Sequence, residues 1–234
     1  MTIPAMMGVI AVHFLHDELN MIQREIKNGL TVAWQYLLAK FLLTLPIVTL
    51  GFSLSALGIP MFVIQTFPGS AFFETVLQWS LIMYLFESIA ECSAAWAPNS
   101  IIGMLGYLTY WILSFLFGGI FLPPEDIYWP LKAAYFALPF NYYTRSMVDV
   151  VIPKMEYNPC NPGEETSVIC LETSYGYDVA EAVRNLFPVT KQPDPVRDAL
   201  ILFGMIVIVK FLYIAGVVWK SSRVQKMSAD VAGK

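Results

Sequence analysis

The sequence predicts an all-α integral membrane protein, a polytopic helix bundle with four full spans plus the end of another, a short inner helix and a re-entrant outer helix. Three observations carry this expectation. Apolar residues make up 57% of the 234 residues and charged residues only 14%, where a soluble domain has about 45–50% and about 25%. Mean hydropathy is +0.59. The apolar residues also fall in long runs. A soluble globule of this size has too little interior to hide so much apolar surface beneath a polar skin, and a disordered chain is poor in such residues. The net charge of −4 is thinly spread, and no basic run marks a nucleic-acid partner.

A crossing needs about 20 mostly apolar residues. Residues 30–61, 71–97, 101–122 and 199–219 qualify. The first of these is too long for one straight crossing and continues beyond the bilayer. Residues 1–15 are too short to span and lack the basic start and small-residue cleavage site of a signal peptide, so they read as the end of a span. Residues 16–29 then form an inner loop.

Sidedness follows from charge. Residues 220–234 carry Lys220, Arg223, Lys226 and Lys234 against Asp230, and basic residues beside a span favour the cytoplasm. Four crossings then place residues 123–197 outside. That stretch holds Cys160 and Cys170. Outside the cytosol they form either a disulfide or two free thiols in a loop, and the oxidising side favours the disulfide. Residues 127–150 concentrate Trp, Tyr and Phe. Aromatic rings collect at membrane boundaries, which predicts a helical segment dipping into or lying on the outer leaflet. Residues 158–195 turn to Pro, Gly, Glu, Ser and Asp, a solvated loop with one short helix near 179–186.

Ionisable groups inside spans are costly and stand out as candidates for function. Lys40, Glu87, Glu91 and Lys210 are the intramembrane charges. Lys40 sits close enough to the inner side to snorkel along its stem. Glu87 and Glu91 are four apart and share a helix face. They either pair with Lys40 or Lys210, or line a wet relay. Glu74 falls at the outer boundary as a solvated group, and Cys92 reads as a small packing residue. His13 and His16 supply two ligands and no third, so no metal site is expected and both read as interfacial polar residues. The chain has no G-x-x-x-x-G-K-[ST] phosphate loop and no G-x-S-x-G elbow, so no catalytic residue is assigned.

Residues 18–46 place Glu18, Arg24-Glu25, Gly29, Tyr36, Lys40 and Pro46 at a spacing that resembles the first intracellular loop and following helix of G-subfamily ABC transporters, including the pleiotropic drug resistance type. Phe72-Phe73 resembles the aromatic pair that opens the family's next helix, and Pro98-Asn99 the turn before its fifth. Phe117-Gly118-Gly119-Ile120 resembles that helix's exit. Ile127, Trp129, Tyr135, Pro139 and Tyr142 resemble the re-entrant segment. A Cys-bearing outer loop and a last span with a basic tail complete the order, and the resemblance covers nearly the whole chain. The family's domain has six spans fused to a nucleotide-binding domain, and this chain resembles its C-terminal part without that domain.

The resemblance implies an exporter of lipids, sterols or other lipophilic compounds, sited at the plasma membrane, with Mg-ATP bound on a separate or missing nucleotide-binding domain. The other reading is a truncated, non-transporting membrane protein that pairs with intact transporters. By resemblance, Glu18, Arg24 and Glu25 belong to an inner coupling helix that meets the nucleotide-binding domain. Trp111, Ile112 and Phe115 line a substrate cavity shared with a second membrane domain, in a homo- or heterodimer, and Ile120 and Phe121 form a hydrophobic valve. The implied partners are that domain, the second copy, membrane lipid and a lipophilic substrate. The topology makes one direct prediction. An impermeant thiol reagent should leave Cys160 and Cys170 unlabelled until reduction and then label them from outside; labelling from the cytosolic side overturns it.

Overall fold

A chain in hydrocarbon must satisfy its backbone polar groups internally, which favours helices. The computed structural model describes residues 2–47, 51, 69–118, 127–150, 152–154, 179, 181, 183 and 194–232. Regular structure among the described residues is helical throughout: α1 (Thr2–Lys27), α2 (Ala33–Pro46), α3 (Gly69–Trp96), α4 (Ser100–Leu116), α5 (Leu131–Ala137), α6 (Phe140–Val150), a 3-10 turn at Ile152–Lys154, and α7 (Pro195–Ala232). Residues 179, 181 and 183 are helical too, within the short helix expected there. Among the described helices, α7 holds a stretch, Pro195–Ser222, long and apolar enough to cross a membrane; α4 is apolar but has only 17 residues.

By contact the chain divides into two compact units. One comprises Met1–Gly51, Met83–Ile112 and Phe203–Lys234, the other Phe52–Ile82 and Leu113–Leu202. In the first unit α1 runs unbroken for 26 residues, through the expected change from span end to polar loop at residue 15. The reason is periodic: Val12, Leu15, Leu19 and Ile26 recur on one buried side, so the helical stripe does not stop where the polar residues begin. Met6, Ile10, Phe14 and Met21 form an exposed stripe opposite. From Met83 to Ala95, α3 is buried on nearly every side, as a central helix must be. Ile206, Tyr213 and Val217 give α7 a single buried face, while Ile208, Phe211 and Leu212 are exposed. The outward surface of these helices is thus apolar, the reverse of a soluble domain.

Local chemistry sets the helix ends. Gly29 has φ 72, a backbone conformation that glycine adopts without a Cβ penalty. Its N–H donates to Ile26 O at 3.1 Å, and Leu30 N–H donates to Glu25 O at 3.0 Å. Those two bonds close α1 in a Schellman turn. Asn99 caps α4 by accepting from Ile102 N–H at 2.9 Å. The end of α3 is tied to α7: Trp96 Nε1 donates to Leu212 O at 3.0 Å, and its ring stacks on Trp219 at 5.9 Å. Lys220 Nζ donates to Ala97 O at 3.1 Å just beyond.

In the second unit the aromatic run makes a core. Tyr135, Phe140, Tyr142 and Tyr143 are buried, whereas Tyr128, Trp129 and Phe136 are exposed. Phe140 meets Phe115 edge-on at 6.3 Å, and Tyr143 packs on Trp79 at 6.1 Å. The expected helical segment over 127–150 is present as α5 and α6, with Tyr128, Trp129 and Phe136 on its exposed side. The other four pack together because a ring buries more apolar area against another ring than against a wet interface. Asn141 Nδ2 donates to Tyr135 O at 3.0 Å and Tyr142 Oη donates to Phe136 O at 2.9 Å, which locks α5 to α6. Asp194 begins α7 by accepting from Arg197 N–H at 3.1 Å, with Pro195 in the first helical position.

Helices α1 and α4 approach closely at Gly8. A Cβ added at Gly8 would land on the ring of Tyr107, which is fully buried. Gly8→Ala should therefore lower stability by about 1–3 kcal/mol through overpacking. Pairing it with Tyr107→Leu should recover part of the loss. Thermal unfolding of the detergent-solubilised protein measures both; an unchanged midpoint in Gly8→Ala refutes the contact.

Candidate functional site

Four helices of the first unit turn their charged side chains toward one another. Lys40 of α2 donates to Glu18 Oε2 of α1 at 2.7 Å. Lys210 of α7 donates to Glu91 Oε2 of α3, and its ammonium stands 4.7 Å from the ring centre of Tyr84. Glu87, one turn before Glu91, shares the electrostatic field of Glu91, Lys210 and Lys40. Tyr36 and Tyr213 lie beside each other and beside Glu18. An isolated charge in an apolar interior is expensive, so such groups persist when paired and hydrogen-bonded. Glu91 is 0% exposed. Its Oε2 is taken by Lys210, while its Oε1 has no hydrogen-bond partner among the described residues.

A cavity of about 170 Å³ opens against this cluster. Trp34, Leu37, Leu38 and Phe41 of α2 and Ile214 of α7 form its apolar wall. Lys40, Glu91, Lys210 and Tyr213 also border it, so the cavity is apolar and lies against the ion pairs.

The predicted site residues separate into three groups. Lys40, Glu87, Glu91 and Lys210 come together, and Glu18, assigned by resemblance to the coupling contact, joins them. Lys40 is held by Glu18 rather than left to snorkel alone. Arg24 is exposed and Glu25 partly so, at the free end of α1. Trp111 is partly buried and Ile112 is exposed, both in the first unit; Phe115 belongs to the second. Ile120, Phe121, Cys160 and Cys170 lie outside the described residues. His16 is buried with Nδ1 3.3 Å from Ala94 O, and His13 stands 4.0 Å from Asp17, so the two histidines have separate settings. Cys92 is a partly buried free thiol.

The second unit holds charged contacts that the sequence did not single out. Arg145 donates through Nε and Nη2 to both carboxylate oxygens of Asp198, which is fully buried, and its guanidinium stands 5.6 Å from the Tyr142 ring centre. The hydrogen bonds to Asp198 push the guanidinium above its ordinary pKa. Burial raises the Tyr135 and Tyr142 hydroxyls as well. Glu74 is ion-paired with Lys154 rather than merely solvated. The only clue in the sequence was an arginine set in an aromatic run.

Helices that are apolar outside and ion-paired within define a helical membrane protein. The chain belongs to the ABC-2 type transporter family, whose sequence model matches residues 1–152. It is therefore the membrane part of an ABC-type transporter, a part that works with a nucleotide-binding domain. No curated protein matches the chain.

The Glu91–Lys210 pair makes a sharp prediction. Lys210→Met leaves a buried carboxylate without its cation and should cost about 3–5 kcal/mol, whereas Glu91→Leu with Lys210→Met should recover most of it. Detergent-phase thermal unfolding of the two variants separates these outcomes. A single variant that melts like the parent refutes the pairing.

Proposed function

We propose that the chain forms the membrane-spanning part of an ATP-driven exporter that moves lipids, sterols or other lipophilic compounds across the plasma membrane, with its C-terminus in the cytoplasm. The elbow between α1 and α2 carries this reading. α1 is one helix of 26 residues, and its charged end holds Arg24 and Glu25. The turn at Gly29 follows, and Glu18 clasps Lys40 across it. A nucleotide-binding domain that closes against the Arg24–Glu25 end would then move α1 and α2 together as one lever. Glu18 serves this coupling from inside the elbow.

In this reading Mg-ATP is bound and hydrolysed by the partner, and the present chain contributes positioning and a path. A second membrane domain, identical or related, completes the substrate cavity. Ile112 is 42% exposed, and with Trp111 and Phe115 it supplies an apolar wall. Such a wall holds lipophilic compounds without requiring hydrogen bonds. Ile120 and Phe121 form the valve, where a dry constriction blocks leak.

The test reconstitutes the chain with its nucleotide-binding partner in vesicles. Arg24→Ala with Glu25→Ala should reduce substrate-stimulated ATP hydrolysis by about tenfold or more, as expected for lost charge-assisted contacts, while the thermal midpoint stays put. Undiminished stimulation overturns the coupling role. Failure of the parent protein to transport, together with co-purification of an intact transporter, would instead favour the non-transporting reading.

A further inference from the structure

We propose that the cavity between α2 and α7 is a lateral site for a hydrocarbon chain of a membrane lipid. The sequence of α2 prepares it. Trp34, Leu37, Leu38 and Phe41 stand at i, i+3, i+4 and i+7 and so share one helical face. That face borders the cavity, with Tyr213 and Ile214 of α7 also lining it. The two helices meet there without closing and leave a space of about 170 Å³. Protein interiors hold few voids larger than a water molecule. An apolar lining with no atoms opposite forfeits its dispersion contacts, so the space favours an occupant that restores them.

The lining decides the chemistry of that occupant. The wall is almost wholly apolar. Glu91 borders the space yet is 0% exposed, and Lys40 and Lys210 already donate to Glu18 and Glu91. A polar or charged ligand would lose its own solvation and find no partner. A hydrocarbon has no such group to satisfy. An engineered apolar cavity of about 150 Å³ stays dry and takes benzene, so the present space suits a hydrocarbon segment of about that bulk.

The opening decides the source. Trp34, Leu38 and Phe41 are 64%, 49% and 47% exposed, whereas Leu37 and Tyr213 are 5% and 3% exposed. The cavity thus leads from the outward apolar surface of α2 to buried walls. In a membrane protein of this kind that surface meets lipid, whose tails are as apolar as leucine. A site fills when its ligand is present well above its dissociation constant, and lipid chains are the solvent on this side. One segment of a chain can enter while the rest lies along α2. An occupied cavity also keeps water from the Glu91–Lys210 and Glu18–Lys40 pairs beside it.

The site does not depend on what the protein transports, and its test reads binding alone. The chain is placed in nanodiscs, without nucleotide, with a phosphatidylcholine that carries a diazirine on one acyl chain. A second preparation carries the diazirine on the headgroup. Both are irradiated and the labelled residues are mapped by mass spectrometry. Label on Trp34, Leu38 and Phe41 reports only the surface that meets lipid. Label on Leu37 and Tyr213 requires entry. The chain probe should reach those two residues about tenfold more than the headgroup probe.

Leu38→Trp from one wall, and Ile214→Trp from the other, should each fill the space. Each should lower labelling of the remaining buried residues by about tenfold, while labelling of exposed Phe211 is kept. Chain label that is absent from Leu37 and Tyr213 in the parent protein overturns the proposal. So does label there that neither variant reduces. A free trifluoromethyl phenyl diazirine that labels the two buried residues where the lipid probe does not overturns the lipid assignment. If one variant does not fold, the other and the comparison of the two lipid probes decide.

Discussion

A carboxylate inside an apolar bundle must meet a cation, and the Glu91–Lys210 pair meets that demand in the first unit. The pair is weak evidence for stability as such, because well-packed apolar residues would often serve as well. What it does supply is register. Only one axial position of α7 on α3 brings Lys210 to Glu91 Oε2 and over the Tyr84 ring. The Trp96–Leu212 bond and the Trp96–Trp219 stack fix the same alignment further along both helices. With α3 and α7 in register, Tyr213 falls beside Tyr36, and the cavity lies against the ion pairs.

The second unit solves a similar problem with different chemistry. Its buried carboxylate, Asp198, receives a planar guanidinium in a two-bonded fork, a geometry that an ammonium cannot copy. Arg145 also stacks near Tyr142, so the charge is shielded by a ring as well as neutralised. Lysine therefore serves where a mobile point charge reaches across helices. Arginine serves where orientation matters.

Helix positions were legible in the sequence because they are local. The apolar run at 71–97 and the observed Gly69–Trp96 differ by a residue or two. Asn99 and Gly29 act as the cap and the turn that their residue types suggest. The Schellman bonds give Gly29, a fixed point of the family pattern, its physical reason. Partner choice was not legible. Glu18 and Lys40 are separated by 22 positions and Glu91 and Lys210 by 119, and nothing local distinguishes Lys40 from Lys210 as the partner of Glu91. Which rings of the aromatic run pack inward was not legible for a related reason: composition identifies rings suited to an interface and to a core equally well. Continuity of α1 through residue 15 depends on the phase of a buried stripe, which a change in composition conceals.

The spacing of the Glu91–Lys210 pair also has a consequence for biosynthesis. Synthesis delivers Glu91 119 residues before its partner; at about 5–20 residues per second the delay is roughly ten seconds. During that interval the nascent chain carries a carboxylate in an apolar segment with its cation not yet made. The later helix, α7, is thus the one that relieves α3. A chain cut short before Lys210 would reach the membrane with its central helix still uncompensated, a state that quality-control proteases can recognise.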